Sequence, residues 1–448
     1  MPATNLHLED LLAPTSRDEF LSDFWEQQPL HLSRAASGAY PGLFALSDLD
    51  QVIAFTRPKF NDPSAFEDAP TGRSSYVRGT LDPAAPASGD NPGIPELAQA
   101  FAQGKSLVIM AMQHRWPAIA RLCRNLELEF RCPVHANLYL TPAGSQGFSA
   151  HFDPHEVFVL QLEGCKTWRV YETPTELPIT TESQPVDQGR LGTSRNMILR
   201  PGDFLYLPRG CVHEAFTTDT HSLHITVGIN VYRWTDLLRH ILASASRRQI
   251  GFRESIPDGA LPDDRSQWKA HIQDLLEQLA DAASRDEVLD EAWHSLGDQF
   301  FGQMGMLPES RFAAEFTPHP IDLETVMENQ AWPLSRVIED EREVAIEFPG
   351  NRVAGPRRIA PALRFIASAK QFAVGSLPGN VNDAAKVVLT RRLVREGMLT
   401  IAAEPKSIHM RNQGGLSNDL EEETASETHW EGPSSGKISL DAEVNVES

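Results

Sequence analysis

Two short stretches hold the residues whose types and spacing could do chemistry. The first is Gly147-Phe-Ser-Ala-His151-Phe-Asp153-Pro-His155-Glu156; the second, about 60 residues on, is Pro201-Gly-Asp-Phe-Leu-Tyr-Leu-Pro-Arg-Gly-Cys-Val-His213-Glu214. Residues i and i+2 of a strand project from one face, so His151 and Asp153 can converge on one point. An imidazole and a carboxylate suit a divalent ion such as Fe(II). Two histidines and one carboxylate on an octahedral face leave positions open for substrate and O2. The third ligand has to arrive from elsewhere in the chain. In the second stretch a turn launches an apolar strand, Pro208-Arg-Gly210 breaks it, and His213 starts the next segment. On a jelly roll that spacing returns the chain beside the first strand, with His213 opposite His151 and Asp153. HxD alone recurs by chance in many chains. HxD followed by a PGD turn, a strand and PRGxxH is a far more specific joint pattern.

Three neighbours compete for the same chemistry. His155 shares the strand parity of His151 and Asp153, but Pro154 should bend the chain before it. A Cys211 thiolate would suit zinc better than an oxygen-activating iron, so it reads as packing. His224, within Ser222-Leu-His-Ile-Thr226, supports the site from behind or is a core residue.

The elements that must position these residues are legible in outline. Runs at Asn137–Thr141, Val157–Leu162, Thr167–Tyr171, Met197–Leu199, Phe204–Leu207 and Leu223–Asn230 read as strands, broken at Pro142-Ala-Gly144, Glu163-Gly164, Pro201-Gly-Asp203 and Arg209-Gly210. Closely spaced short strands of this kind suggest a barrel or jelly roll. Before them, Asp18 to Gln27 has helical spacing, and Asp62 to Pro95 reads as a long surface loop. After Trp234 the period becomes helical, with stripes at Leu237, Leu238, Ile241 and Leu242 and at Ile272, Leu275, Leu276, Leu279 and Ala283. Such stripes pack on the chain's own core or pair across a dimer. From Pro318 to Ala403 a strand (Val344–Phe348), two helices (Pro361–Ala369, Asp383–Glu396) and a returning strand (Met398–Ala402) resemble a winged helix.

The chain has 448 residues, enough for two or three cores, and a net charge of −21. That charge argues against binding a phosphate backbone and favours a basic partner, although it could serve solubility alone. A net −8 falls from Asn412 onward, in a stretch without periodicity that should be disordered. Four scattered cysteines form no CxxC pair and read as reduced thiols. No apolar run approaches the ~20 residues of a membrane span, and the first residues carry no basic-apolar leader. The expectation is a cytoplasmic protein.

The segments NLYLTPAGSQGFSAHFDPHEVFVLQLEGCKTWRVY, PGDFLYLPRGCVHEA and HSLHITVG, with FWEQQPLHL earlier, resemble the JmjC ribosomal oxygenase family. The resemblance covers roughly residues 5 to 405 and is tight over 134–230. It implies an α+β chain built on a double-stranded β-helix: a JmjC/cupin domain with a helical extension (1–233), a helical dimerisation region (234–315), a winged-helix-like domain (316–405) and an acidic tail (406–448). It implies Fe(II) held by His151, Asp153 and His213, with 2-oxoglutarate and O2 as co-substrates. Lys166 matches the basic residue that meets the distal carboxylate of 2-oxoglutarate, which as a buried anion needs a cation and hydrogen bonds. Tyr139 and Thr226 match the hydroxyls that complete that pocket, and Asn137 a polar residue near co-substrate and peptide. The implied reaction is hydroxylation of an arginine or histidine of a ribosomal protein by a homodimer. The chain departs from the pattern at Gly228, where serine is frequent, and at Pro154 and His155.

Two other readings remain. The same chemistry could act on a non-ribosomal peptide or a small molecule, or the barrel could bind metal without turnover in a regulator. Arg391, Arg392 and Arg395 would be the basic face of such a regulator, but the overall charge opposes DNA. Lysine demethylases of the JmjC class usually carry glutamate where this chain has Asp153.

Overall fold

Strand positions in the middle of the chain alternate between two buried faces, and that alternation builds the molecule. In the strand Glu156–Gly164 (β7), Phe158 and Leu160 enter one large core while Val157 and Val159 enter another. A strand buried on both sides reads as a continuous apolar run, as β7 does. The computed structural model describes residues 5–34, 40–60, 76–80, 92–172, 176–179, 183–187, 189, 191–256, 266–305 and 320–402. The expected tail 406–448 and most of the expected loop 62–95 lie outside these residues.

Two sheets face each other. The larger has eight strands, beginning with β1 (Leu30–Leu32), β2 (Lys59–Phe60), β3 (Tyr76–Thr80), β4 (Ser106–Ile109) and β5 (Val134–Thr141). With β7, β11 (Phe204–Leu207) and β13 (Ser222–Ile229) they run in the order β1-β11-β7-β13-β5-β4-β3-β2. The smaller has the order β10-β8-β12-β6-β9, from β6 (His151–Phe152), β8 (Lys166–Tyr171), β9 (Gln184–Pro185), β10 (Ser194–Leu199) and β12 (His213–Phe216). All six strand runs read from the sequence are strands here. The first 130 residues differ from expectation: β1 to β4 extend the larger sheet, and β3 lies inside what reads as a surface loop.

The outer face of the larger sheet packs against N-terminal helices, chiefly Pro117–Phe130, whose Ile119, Leu122 and Leu126 join Leu138, Leu140, Phe158, Ile225 and Val227. Along β5 and β13 the outward set is Ala136, Leu138, Leu140 and Leu223, Ile225, Val227, Ile229. By the two-residue period the inward set is Asn137, Tyr139, Thr141 and His224, Thr226, Gly228. The register pairs His224 with Tyr139 and Thr226 with Asn137, so this polar set is one continuous lining of the barrel interior.

Three helices follow, Trp234–Arg248, Ser266–Ala283 and Asp286–Gln303, sharing a small core of Ile241, Ala245, Ala282, Val288 and Ala292. Residues 320–402 form two three-stranded antiparallel sheets with helices Ala360–Ser368 and Asp383–Arg395 around a separate core that includes Met327, Ile346, Leu363 and Leu393. No described helix is long and apolar enough to cross a membrane.

Candidate metal centre

Strands β6 and β12 pair antiparallel with His151 directly opposite His213. Their ring centroids are 4.5 Å apart. Ligand atoms of His151, Asp153 and His213 all lie within 4.8 Å of one another, and this is the one such set of histidine, cysteine and carboxylate groups among the described residues. Asp153 sits just past the end of β6 rather than on it. Pro154 cannot donate to a ladder, which ends the strand early. The turn is fixed instead by the Gly210 amide, which donates to the Asp153 carbonyl at 2.8 Å. Gly210 has φ +83°, a conformation that a side chain would resist. The break read at Pro208-Arg-Gly210 thus ties the two candidate stretches together.

Both imidazoles are held by the same device. His151 Nδ1 lies 2.7 Å from the Ser149 carbonyl, and His213 Nδ1 lies 2.9 Å from the Cys211 carbonyl. A carbonyl only accepts, so each Nδ1 carries the proton and each Nε2 presents a lone pair. His213 Nε2 is 3.6 Å from Asp153 Oδ2. Burial would raise the Asp153 carboxyl, but the imidazoles of His151, His155 and His213 and the Ser183 hydroxyl outweigh it and hold the group well below the carboxylate range. For His213, burial leads and lowers the imidazole to about 4. Two neutral imidazole nitrogens and an ionised carboxylate oxygen fit a divalent ion of the Fe(II) type, with second partners already in place.

The competing groups fall away on geometry. His155 is outside the convergent set. Cys211 is buried among Val157, Leu205 and Leu207, and burial pushes its thiol up to about 12, so it stays protonated. His224 is fully enclosed, stacked on Tyr139 at 4.9 Å and edge-on to Trp168 at 5.6 Å, which supports the cavity wall.

Lys166 is 5% exposed and so is no solvated hairpin lysine. It opens β8 and shares the inward face with Trp168, whose ring lies 5.6 Å from that of His213. Its Nζ donates to Thr141 Oγ1 at 2.9 Å, and among the described residues no carboxylate neutralises it. Burial lowers the ammonium to about 7. A buried cation with one hydroxyl partner is what an incoming anion would complete. Tyr139, Thr226 and Asn137 share the adjoining wall: the Tyr139 hydroxyl contacts both Thr226 and Asn137, and Asn137 Oδ1 accepts from the Ala111 amide at 3.1 Å. Sequence reasoning missed Thr141. Its only signal was its inward parity with Asn137 and Tyr139 on a run already read as a strand.

This fold and donor set define a double-stranded β-helix protein with a candidate metal centre of two histidines and one carboxylate. Residues 109–237 match the family model described as the JmjC domain. The chain is 33% identical over 313 residues to the "bifunctional lysine-specific demethylase and histidyl-hydroxylase NO66" of Drosophila persimilis, covering 65% of this chain and 43% of that one. It is 32% identical over 302 residues to ribosomal oxygenase 1 of Gallus gallus, covering 63% and 49%. The chain therefore spans less than half the length of these two curated relatives. The E. coli ribosomal oxygenase YcfD, solved in complex with cobalt and 2-oxoglutarate, has the same fold at TM-score 0.51 and 18% identity, over 87% of this chain and 99% of that one. Over residues 109–237 the chain thus carries a JmjC domain, and it is similar to ribosomal oxygenases.

Proposed function

We propose that the protein is an Fe(II)- and 2-oxoglutarate-dependent oxygenase that hydroxylates a side chain of a basic ribosomal protein. The observation that carries this reading is the joint geometry of the inward face: two Nε2 lone pairs and a carboxylate converge near one end, and a buried ammonium that no described carboxylate neutralises lies at the other. His151, Asp153 and His213 would hold the iron. Lys166 and Thr141 would take the distal carboxylate of 2-oxoglutarate, with Tyr139 and Thr226 closing the pocket and Asn137 placed between co-substrate and target. With 2-oxoglutarate and O2 the metal supplies the oxidising power, giving succinate, CO2 and a hydroxylated carbon. The residues orient both ligands and exclude water. The relatives' names favour histidine over arginine as the hydroxylated residue, and Asp153 in place of glutamate speaks against demethylation. The net charge of −21 suits a basic target.

The domain limits read from the sequence stand as part of this proposal, since residues 320–402 and the three helices before them have cores of their own. A homodimer belongs to it as well. Trp234, Leu238 and Leu242, one turn apart on a helix, are 81%, 55% and 42% exposed, and Ile272, Leu276, Leu289 and Trp293 on the next two helices are also exposed. A face this apolar marks an interface.

The test is anaerobic titration with Fe(II) and then 2-oxoglutarate, following the weak visible charge-transfer band of their chelate. Wild type should show the band and His213→Ala should not. Metal bound by the wild type with no band would leave a binding cupin as the better account. Incubation of the active enzyme with ribosomal proteins should then add one oxygen mass to one of them.

A further inference from the structure

The departure at Gly228 has a physical counterpart on the neighbouring strands. Gly228 pairs with His135 on β5 and with Val157 on β7, two residues after His155. A β-carbon at 228 would lie 2.3 Å from His135 Cε1, 2.6 Å from His135 Nε2 and 2.4 Å from His155 Cδ2. The two rings, with centroids 4.8 Å apart, occupy the volume that any side chain at 228 would need. They sit at the mouth of the barrel next to Asp153, both partly exposed.

The tautomer of His135 is fixed. Asn230 Nδ2, a donor only, lies 3.0 Å from His135 Nδ1, and the same amide nitrogen lies 3.3 Å from the Pro133 carbonyl, which sets its orientation. His135 Nδ1 therefore accepts, and Nε2 carries a proton directed toward the space above Gly228. Among the described residues neither that N–H nor the ring nitrogens of His155 have a hydrogen-bond partner in the protein.

Resting on the oxygenase reading above, we propose that His135 and His155 form the specificity wall of the target pocket, with Gly228 as the glycine that makes room for them. His135 Nε2–H donates to an acceptor on the target side chain, and the flat His155 ring packs beside it. A neutral imidazole offers a planar ring with one acceptor nitrogen. A guanidinium has five donors and no acceptor, and would set its N–H groups against that of His135. The pair selects a histidine target over an arginine one.

Two small probes, N-acetylhistidine-N-methylamide and the arginine analogue, can be presented to the full chain loaded with Mn(II) and 2-oxoglutarate. Paramagnetic broadening of their proton NMR signals reports approach to the metal, and electron paramagnetic resonance reports Mn(II) occupancy. The wild type should broaden the histidine probe and spare the arginine probe. His135→Phe and, independently, His155→Phe should keep Mn(II) and weaken the histidine probe by about tenfold, the scale of one hydrogen bond lost at a partly buried site. Unchanged broadening in both variants, preference for the arginine probe, or no broadening of either probe by Mn(II)-loaded wild type would overturn the pair's role alone. Failure of the wild type to bind Mn(II) would overturn the metal-site reading, and the pair's role with it.

Discussion

Lys166 is the residue whose state depends most on what is bound. Its ammonium is buried with no counter-charge among the described residues, so the folded protein without co-substrate holds it at about 7, far below the ordinary lysine value of about 10.5. Between those values the unfolded chain binds more protons than the folded one, so this group makes stability rise with pH across that window. His224 on β13, coupled to it, is itself lowered well below the ordinary histidine value, with burial as the main cause and Lys166 the second. Lys166→Met should therefore stabilise the ligand-free protein at neutral pH, by a margin that shrinks as pH rises toward about 10; urea unfolding at several pH values measures this. The same substitution should weaken 2-oxoglutarate by at least about tenfold while leaving metal affinity near wild type, as read by calorimetry. Equal losses of both would mean that Lys166 is only packing. Removing a proposed metal ligand acts the other way round: His213→Ala should abolish tight divalent-metal binding with the sheet pairing intact. The residues of the first rank were legible because iron chemistry restricts ligand types and strand parity restricts spacing. Thr141 and His135 were not, since what gives them meaning is the β5–β13 register, which joins positions about 90 residues apart.

At the scale of elements, the hairpin between β7 and β8 delivers Lys166 to the interior, and Gly164 makes its turn. Gly164 has φ +65°, and a β-carbon there would lie 1.8 Å from the His221 carbonyl oxygen, which accepts from the Cys165 amide. Gly164→Ala should cost about 2 kcal/mol or more from left-handed strain and that collision together. It should also raise the 2-oxoglutarate concentration needed for half-saturation, because the first residue of β8 shifts with the turn. Denaturant unfolding and co-substrate titration check the two halves of this expectation. Strands such as β7 and β13 declared themselves by long apolar or alternating runs. Strands β1 to β4 did not, being two to five residues long, and β1 is a strand only because β11 pairs with it. His151–Phe152 is also only two residues long, and the expectation that His151 and Asp153 share one strand failed at Pro154 while their convergence held.

At the scale of the whole molecule, the proposed homodimer rests on the exposed apolar residues Trp234, Leu238 and Trp293. Trp234→Asp combined with Leu238→Asp should halve the mass seen by light scattering with little loss of helix content; a wild type that is already monomeric at micromolar concentration would remove the dimer. The helical stripes were visible in the sequence, but which side of them stayed uncovered depended on how three helices bury Ile241, Ala245 and Ala292 among themselves. The pairing of His151 with His213 bears on the molecule as a polymer. A ligand set that joins positions about 60 residues apart would, in a flexible chain, have to overcome the entropy of closing that loop, on the order of a few kcal/mol. Here β12 is zipped to β6 and β8 by backbone hydrogen bonds, so the loop is shut before any ion arrives. Metal affinity can then report coordination alone, and stripping the ion with a chelator should silence the site without unravelling the barrel, in contrast to small domains whose metal is their only clasp.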